Sequence, residues 1–302
     1  MSGASISAGR PPIGSIRRWL IGARPKTLAA ATVPVLVGTA AGTLGSPGGV
    51  VLWRAICAWV VAVGVQVGTN YANDYSDGLR GSDVERVGPT RLTSSGLASP
   101  GQVLCAAVAA FLVAGAAGLA LAATVSWWLV PLGFACFASG WLYSGGPRPY
   151  GYMGLGELFV FVFFGLVATA GSAYVQHGHV GALSVAAGVP VGLLAVALLE
   201  ANNLRDVQGD EHSKKRTLAV RLGAQRARWL YVGALGVSFA SVGIVAWWRP
   251  YALVALGALA LAWWPGKAVL DGAQGNQLVS VLGATGKIQL LTGCLLTLGL
   301  VL

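Results

Sequence analysis

Charge is what this chain has least of. Only 10% of its 302 residues are charged, where soluble domains carry about 25%. Hydrophobic residues make up 55% and the mean hydropathy is +0.69. A soluble globular domain is excluded, and a polytopic membrane protein remains. Cysteine is also scarce. Cys57, Cys105, Cys136 and Cys294 are scattered through apolar runs with no metal-ligand spacing. That excludes a disulfide framework and a thiolate metal site, and leaves small apolar packing residues. His177 and His179 lie at i, i+2 with no further ligand apparent, and read as solvated.

What is there is a series of apolar windows, each long enough for one span. Nine are expected, at 26–45, 51–73, 101–122, 125–144, 155–176, 182–203, 228–247, 250–266 and 278–301. Residues 1–18 read as a polar cytoplasmic tail and 19–302 as one membrane domain. The net charge of +10 does not point to nucleic acid, because of where the charges fall. With the N-terminus inside, only Arg54 and Arg249 of all Lys and Arg lie outside. This asymmetry fixes N-in, C-out. All the acids gather on the same inner side, which the positive-inside rule does not require.

Two stretches explain that gathering. Asn70 to Asp83 reads NYANDYSDGLRGSD and ends the second apolar run. Asn70, Asp74 and Asp77 are spaced i, i+4, i+7 and make one polar stripe on a helix. Asn202 to Asp210 reads NNLRDVQGD and ends the sixth run. Asn202 and Asp206 lie 132 residues after Asn70 and Asp74, and Asp210 follows. A repeat interval of four helices returns both polar mouths to one face of the membrane. A charge at the bilayer centre costs about 2.5–3.5 kcal/mol on the mildest scale. Such groups persist where they line a wet cavity or hold a cation. Oxygen ligands of this kind suit Mg²⁺, which is commonly held by one or two carboxylates plus substrate phosphates. Polar helix ends that only cap and hydrate loops explain one such motif, but poorly explain two at matched spacing.

Basic and aromatic residues cluster beside these acids. Arg24 and Lys26 precede the first span, where they serve topology or reach a bound anion. The loop Gly78 to Ser99 carries Arg80, Arg86 and Arg91 among its acids. After the second motif, Glu211 to Arg228 is the densest basic segment, with Lys214 at i+4 and Arg216 at i+6 from Asp210. Cations beside metal-binding carboxylates suit a diphosphate. The link YSGGPRPYGYMGLGE, Tyr143 to Glu157, packs Tyr143, Tyr150 and Tyr152 into one short loop. It is an interfacial aromatic belt or an ordered active-site loop. A charged head and an apolar body together fit an isoprenoid diphosphate.

At these residues the chain resembles the UbiA superfamily of intramembrane prenyltransferases. Asn70, Asp74 and Asp77 match its first aspartate-rich motif, one residue shorter than the general spacing. Asp206 and Asp210, with Asn202, match its second. ARPKTL (Ala23 to Leu28), NYANDYSDGLRGSD, YSGGPRPYGYMGLGE and KRTLAVRLG resemble the branch that prenylates 1,4-dihydroxy-2-naphthoate in menaquinone synthesis. The resemblance implies an all-α bundle of nine transmembrane helices around a central cavity open to the cytoplasm and to lipid. It implies Mg²⁺ on Asn70, Asp74, Asp77, Asp206 and Asp210, and polyprenyl diphosphate as donor. It implies substrate contacts from Asn70, Asn202, Arg24, Lys26, Arg91, Lys214, Arg216 and Tyr150. Tyr143 is expected to face the allylic cation or the acceptor, though Tyr150 and Tyr152 compete for that role. The expected location is a bacterial plasma membrane, with the site facing the cytoplasm. Other acceptors on the same fold (4-hydroxybenzoate, homogentisate, haem) remain open, as does a cation-coupled transporter.

Overall fold

A computed structural model describes residues 15–44, 48–81 and 90–302. Asp83, Glu85 and Arg86 of the long loop, and most of the expected tail, lie outside the described residues. All regular structure among the described residues is helical. The chain runs through α1 (Ser15–Ala23), α2 (Ala29–Thr43), α3 (Leu52–Arg80), α4 (Pro100–Thr124), α5 (Leu129–Leu142) and α6 (Gly156–His177). It continues through α7 (Ala182–His212), a short α8 (Leu218–Leu222), α9 (Ala224–Ala246), α10 (Pro250–Leu270) and α11 (Asn276–Val301).

Seven of these helices are long and apolar enough to cross a membrane. The pair α1–α2, bent by 55°, makes eight if it counts as one span. The fourth expected window holds only α5, whose 14 residues rise about 21 Å, short of a bilayer core of about 30 Å. The expectation of nine full spans is therefore not met by length. Ser15 to Arg18, at the end of the expected tail, are helical and belong to α1.

Local sequence sets the ends. Ser99 and Gln102 form a reciprocal capping box at the start of α4, and Pro100 sits in its first turn, where a missing N–H costs nothing. Pro190 lies inside α7, and the Ser238 hydroxyl donates to the Pro190 carbonyl at 2.8 Å, pinning α9 to it. Where α2 meets α6, the Thr169 backbone fills the space a Cβ on Gly38 would need. That is how backbones approach closely in lipid. Exposed Leu112, Phe134, Trp127, Trp128 and Trp247 make an apolar outer surface with tryptophans at the end opposite the motifs. This is the surface of a lipid-embedded bundle.

Candidate active site

The C-terminal turns of α3 and α7 meet at one end of the bundle. Asp77 is 1% exposed, and its Oδ2 lies 3.3 Å from Lys215 Nζ and 4.0 Å from Arg91 Nη2. Lys215 Nζ also lies 3.8 Å from Asp210 Oδ1. One ammonium thus joins an acid of the first motif to an acid of the second. Lys215 reaches this place through a helix-ending turn. Lys214 is left-handed at φ 60, the Lys214 N–H bonds to the Glu211 carbonyl and the Lys215 N–H to the Asp210 carbonyl. That is the Schellman pattern, with lysine where glycine is usual. Burial of the Lys215 ammonium acts to lower its pKa, but the charges of Asp77 and Asp210 outweigh it and the net direction is upward. Lys215 therefore stays cationic.

The loop after α5 closes over this pair. The Tyr152 hydroxyl donates to Asp77 Oδ1 at 2.9 Å. Its ring centroid lies 5.4 Å from Lys215 Nζ and 5.4 Å from the Arg80 guanidinium. Arg80 holds the loop by donating to the Ser144 and Gly146 carbonyls, and the Ser144 hydroxyl donates to Asn73 Oδ1. The Tyr150 hydroxyl donates to the Ser139 carbonyl at 2.9 Å, and burial pushes its pKa up to about 12. Burial also raises Tyr143, against the opposing charge of Lys215. Both phenols stay protonated. Tyr143, Tyr150, Phe159 and Phe163 form a continuous aromatic row, with successive ring centroids 5.5, 4.0 and 6.0 Å apart.

These groups head a cavity of about 770 Å³. Arg24, Asn70, Asn73, Asp77, Arg91, Asn202, Arg205 and Lys215 line its polar end. Its lining on α3 runs from Ala58 to Asp77, about 28 Å at the helical rise, so the cavity follows most of a bilayer's thickness. Most of the remainder is Gly, Ala, Val, Leu and Phe, largely from α2 to α7, with a few uncharged polar side chains such as Gln66, Thr69 and Ser172 among them. A polar head and a long apolar body share one space.

The expected site residues divide. Asn70, Asp77, Asn202, Arg24, Lys26, Arg91, Tyr143 and Tyr150 line the cavity. Asp74 does not. It is fully buried, and its oxygens accept the backbone N–H groups of Leu92 (2.9 Å) and Thr93 (3.3 Å), so it anchors the loop that carries Arg91. Asp206 is held by Arg205 through two hydrogen bonds of 2.8 and 2.7 Å and also stands behind the wall. Asp210 reaches the site through Lys215. Lys214 and Arg216 are exposed and outside the lining. The Lys214 turn points the neighbouring Lys215 inward instead. Sequence reasoning missed Lys215, Arg205, Asn73 and the role of Tyr152. Arg205 Nη2 donates to Asn202 Oδ1 at 2.7 Å while its Nη1 is buried with no hydrogen-bond partner.

Among the described residues no three acids, histidines or cysteines gather into a metal cage. Asp77 and Asp210 already share one cation at contact distance, and their oxygen donors fit a hard divalent ion that takes its other ligands from water and substrate phosphate.

This architecture defines an intramembrane helical bundle with a one-ended charged pocket. Residues 31–286 match the profile of the UbiA prenyltransferase family, and the chain belongs to that family. A Mycobacterium tuberculosis protein named 1,4-dihydroxy-2-naphthoate octaprenyltransferase is 45% identical over 274 residues, covering 91% of this chain and 93% of that one. A Haemophilus influenzae protein of the same name is 33% identical over 300 residues, covering 95% and 96%. Among solved structures, a UbiA homologue from Archaeoglobus fulgidus bound to GPP and Mg²⁺ superposes with a TM-score of 0.66 at 14% identity, covering 92% of this chain and 99% of that one. The apo structure of a UbiA homologue from Aeropyrum pernix K1 gives 0.68 at 15%, covering 90% and 97%.

Proposed function

We propose that this prenyltransferase transfers a polyprenyl group from polyprenyl diphosphate to 1,4-dihydroxy-2-naphthoate in a Mg²⁺-dependent reaction. The observation that carries this reading is the cavity itself, charged at the end where Asp77, Asp210 and Lys215 meet and apolar along the rest of its length. The relatives' names supply the acceptor and suggest an eight-unit tail as the first donor to try.

Asp77 and Asp210 would hold the metal, while the Asn70 amide lines the same cavity, donating to the Ala23 carbonyl and accepting from Gln66. A Mg²⁺ ion held there would supply charge neutralisation to the diphosphate and so make it a better leaving group. Lys215, Arg24, Lys26 and Arg91 surround the diphosphate oxygens, and the spare Arg205 Nη1 donor serves the same anion. Lys214 and Arg216 act on it only at long range. Asp74 and Asp206 orient their neighbours. The apolar walls take the tail and keep water from the reacting carbon.

The allylic C–O bond breaks and diphosphate leaves with its electron pair. The faces of Tyr143 and Tyr150 stabilise the cation that develops. The acceptor's carboxyl-bearing ring carbon forms the new C–C bond. Carboxylate then leaves as CO₂, and its bonding pair restores the aromatic ring. The product is demethylmenaquinone in its quinol form. The seven long apolar helices make the chain a multi-pass membrane protein. In this reading it sits in a bacterial plasma membrane with N-in, C-out orientation, and the cavity opens to the cytoplasm and to lipid.

The test is product formation in detergent from 1,4-dihydroxy-2-naphthoate and octaprenyl diphosphate, with and without Mg²⁺. Mg²⁺-dependent product from this acceptor is expected. Product from 4-hydroxybenzoate or homogentisate alone would move the acceptor assignment and keep the fold and donor.

A further inference from the structure

The place where Asp77 and Asp210 come together is already taken. Lys215 Nζ is in ion-pair contact with Asp77 Oδ2 at 3.3 Å and Asp210 Oδ1 at 3.8 Å. Its side chain is 11% exposed and that of Asp77 1%, so one ammonium and two carboxylates lie together out of bulk water, with the Arg91 guanidinium 4.0 Å from Asp77 to offset the remaining negative charge. Mg²⁺ binds oxygen at about 2.0–2.1 Å. An ion bridging these two carboxylates needs the volume that Nζ occupies. An ammonium and a divalent cation at contact in a weakly polar pocket repel strongly. The ammonium also has somewhere to go. The Tyr152 ring lies beside it, 5.4 Å from the centroid, and the cavity that Lys215 lines opens next to it.

We propose that Lys215 is a built-in competitor of the metal. It bridges the two motif carboxylates, must leave them before a divalent cation bridges Asp77 and Asp210, and on leaving becomes the ammonium that contacts diphosphate. This rests on the metal–diphosphate reading above and adds to it a coupling between the two ligands. Metal alone must displace Lys215 toward Tyr152 and the cavity, where the described lining residues offer it no further carboxylate. Metal with diphosphate gives the displaced ammonium a partner. Each ligand therefore strengthens the other, by the same factor in both directions. A lysine that only contacts phosphate predicts instead that its removal leaves bare-metal affinity unchanged.

The experiment is direct Mn²⁺ binding to the full-length protein in detergent, read by electron paramagnetic resonance of the free ion, with and without inorganic diphosphate. Lys215→Gln removes the competing charge, although Arg91 stays 4.0 Å from Asp77. Its Mn²⁺ affinity without diphosphate is expected to rise by about tenfold or more, since a contact charge has gone from a poorly screened site. The gain in affinity on adding diphosphate is expected to shrink. Lys215→Arg keeps the charge and is expected to bind bare Mn²⁺ no more tightly than wild type. It also keeps the idea testable should the glutamine variant not fold. Unchanged or weaker bare Mn²⁺ binding in folded Lys215→Gln overturns the proposal, as does tighter binding in Lys215→Arg. In those cases wild-type Mn²⁺ binding with diphosphate leaves the metal–diphosphate reading standing. If wild type binds no Mn²⁺ even with diphosphate, both fall.

Discussion

Tyr152 is the residue whose loss is easiest to read. Its hydroxyl donates to Asp77 Oδ1 at 2.9 Å, and its ring lies against Lys215 and Arg80. Tyr152→Phe removes the first contact and keeps the ring. A hydrogen bond to a charged group contributes about 1.5–3 kcal/mol, which is about 10- to 100-fold in an equilibrium constant. Asp77 keeps Lys215 at 3.3 Å and Arg91 at 4.0 Å, so its carboxylate is not left bare and the lower figure applies. The expected effect is about a tenfold loss of kcat/KM for prenyl diphosphate, carried by KM and by a higher Mg²⁺ requirement. Tyr152→Leu removes the cation contacts too and should cost more. Initial rates with labelled donor, at several Mg²⁺ concentrations, measure it. If Tyr152→Phe stays within twofold of wild type at limiting Mg²⁺, the phenol does not orient Asp77 and the loop's role needs another account.

Asp77→Asn and Asp74→Asn should separate ligand from anchor. The first is expected to lose most activity with little change in Tm. The second should lower Tm as well, because the Leu92 and Thr93 N–H groups bond to different oxygens of Asp74 and an amide puts an NH₂ donor in place of one of them, and activity should fall by about 10- to 100-fold. Lys214→Gly relieves a left-handed lysine that costs about 1 kcal/mol. Tm should rise by about 2 °C with activity kept, whereas Lys214→Val should lower it. For pH, Lys215 and Tyr150 both have folded pKa values above their unfolded ones of 10.5 and 10.0. Their contribution is complete below about pH 10 and lost as pH rises through the folded values, about 12 for Tyr150. Tm should therefore show no loss from these groups between neutral pH and about pH 10, and Tyr150→Phe should soften the decline above it.

The motifs were legible because membrane burial makes acids rare, so Asp77 and Asp210 stood out against apolar runs. Their convergence was legible from an even number of intervening helices. Which acid faces the cavity was not. Asp74 and Asp77 share one helical stripe, but the chain from Leu92 returns to cap Asp74, and no local pattern shows that contact. The basic segment misled in the same way. Spacing i+4 from Asp210 selects Lys214 only if the helix continues. It ends at His212, and a left-handed residue passes the inward direction to Lys215. Arg205 stood inside the second motif, but its grip on the adjacent Asp206 depends on rotamers. The fourth window looked long because Val125, Trp127 and Trp128 are apolar, yet with Ser126 they form the turn before α5.

The charge at the cavity head argues for the order in which ligands arrive. Among the described residues, four carboxylates (Asp74, Asp77, Asp206, Asp210) stand with five cations (Arg24, Lys26, Arg91, Arg205, Lys215). Asp206 is matched by Arg205, Asp77 and Asp210 share Lys215, and Asp74 is met by backbone donors. The head is close to neutral before any substrate enters. A diphosphate carrying several negative charges exceeds the single positive charge by which these cations outnumber the carboxylates. A divalent cation alone meets carboxylates that are already paired. Each ligand is disfavoured without the other, and the two together restore neutrality in a space where unpaired charge is costly. Diphosphate and metal should therefore bind as a unit. Isothermal titration of geranyl diphosphate with and without Mg²⁺ checks this. Equal affinities in the two buffers would show that the resident cations suffice.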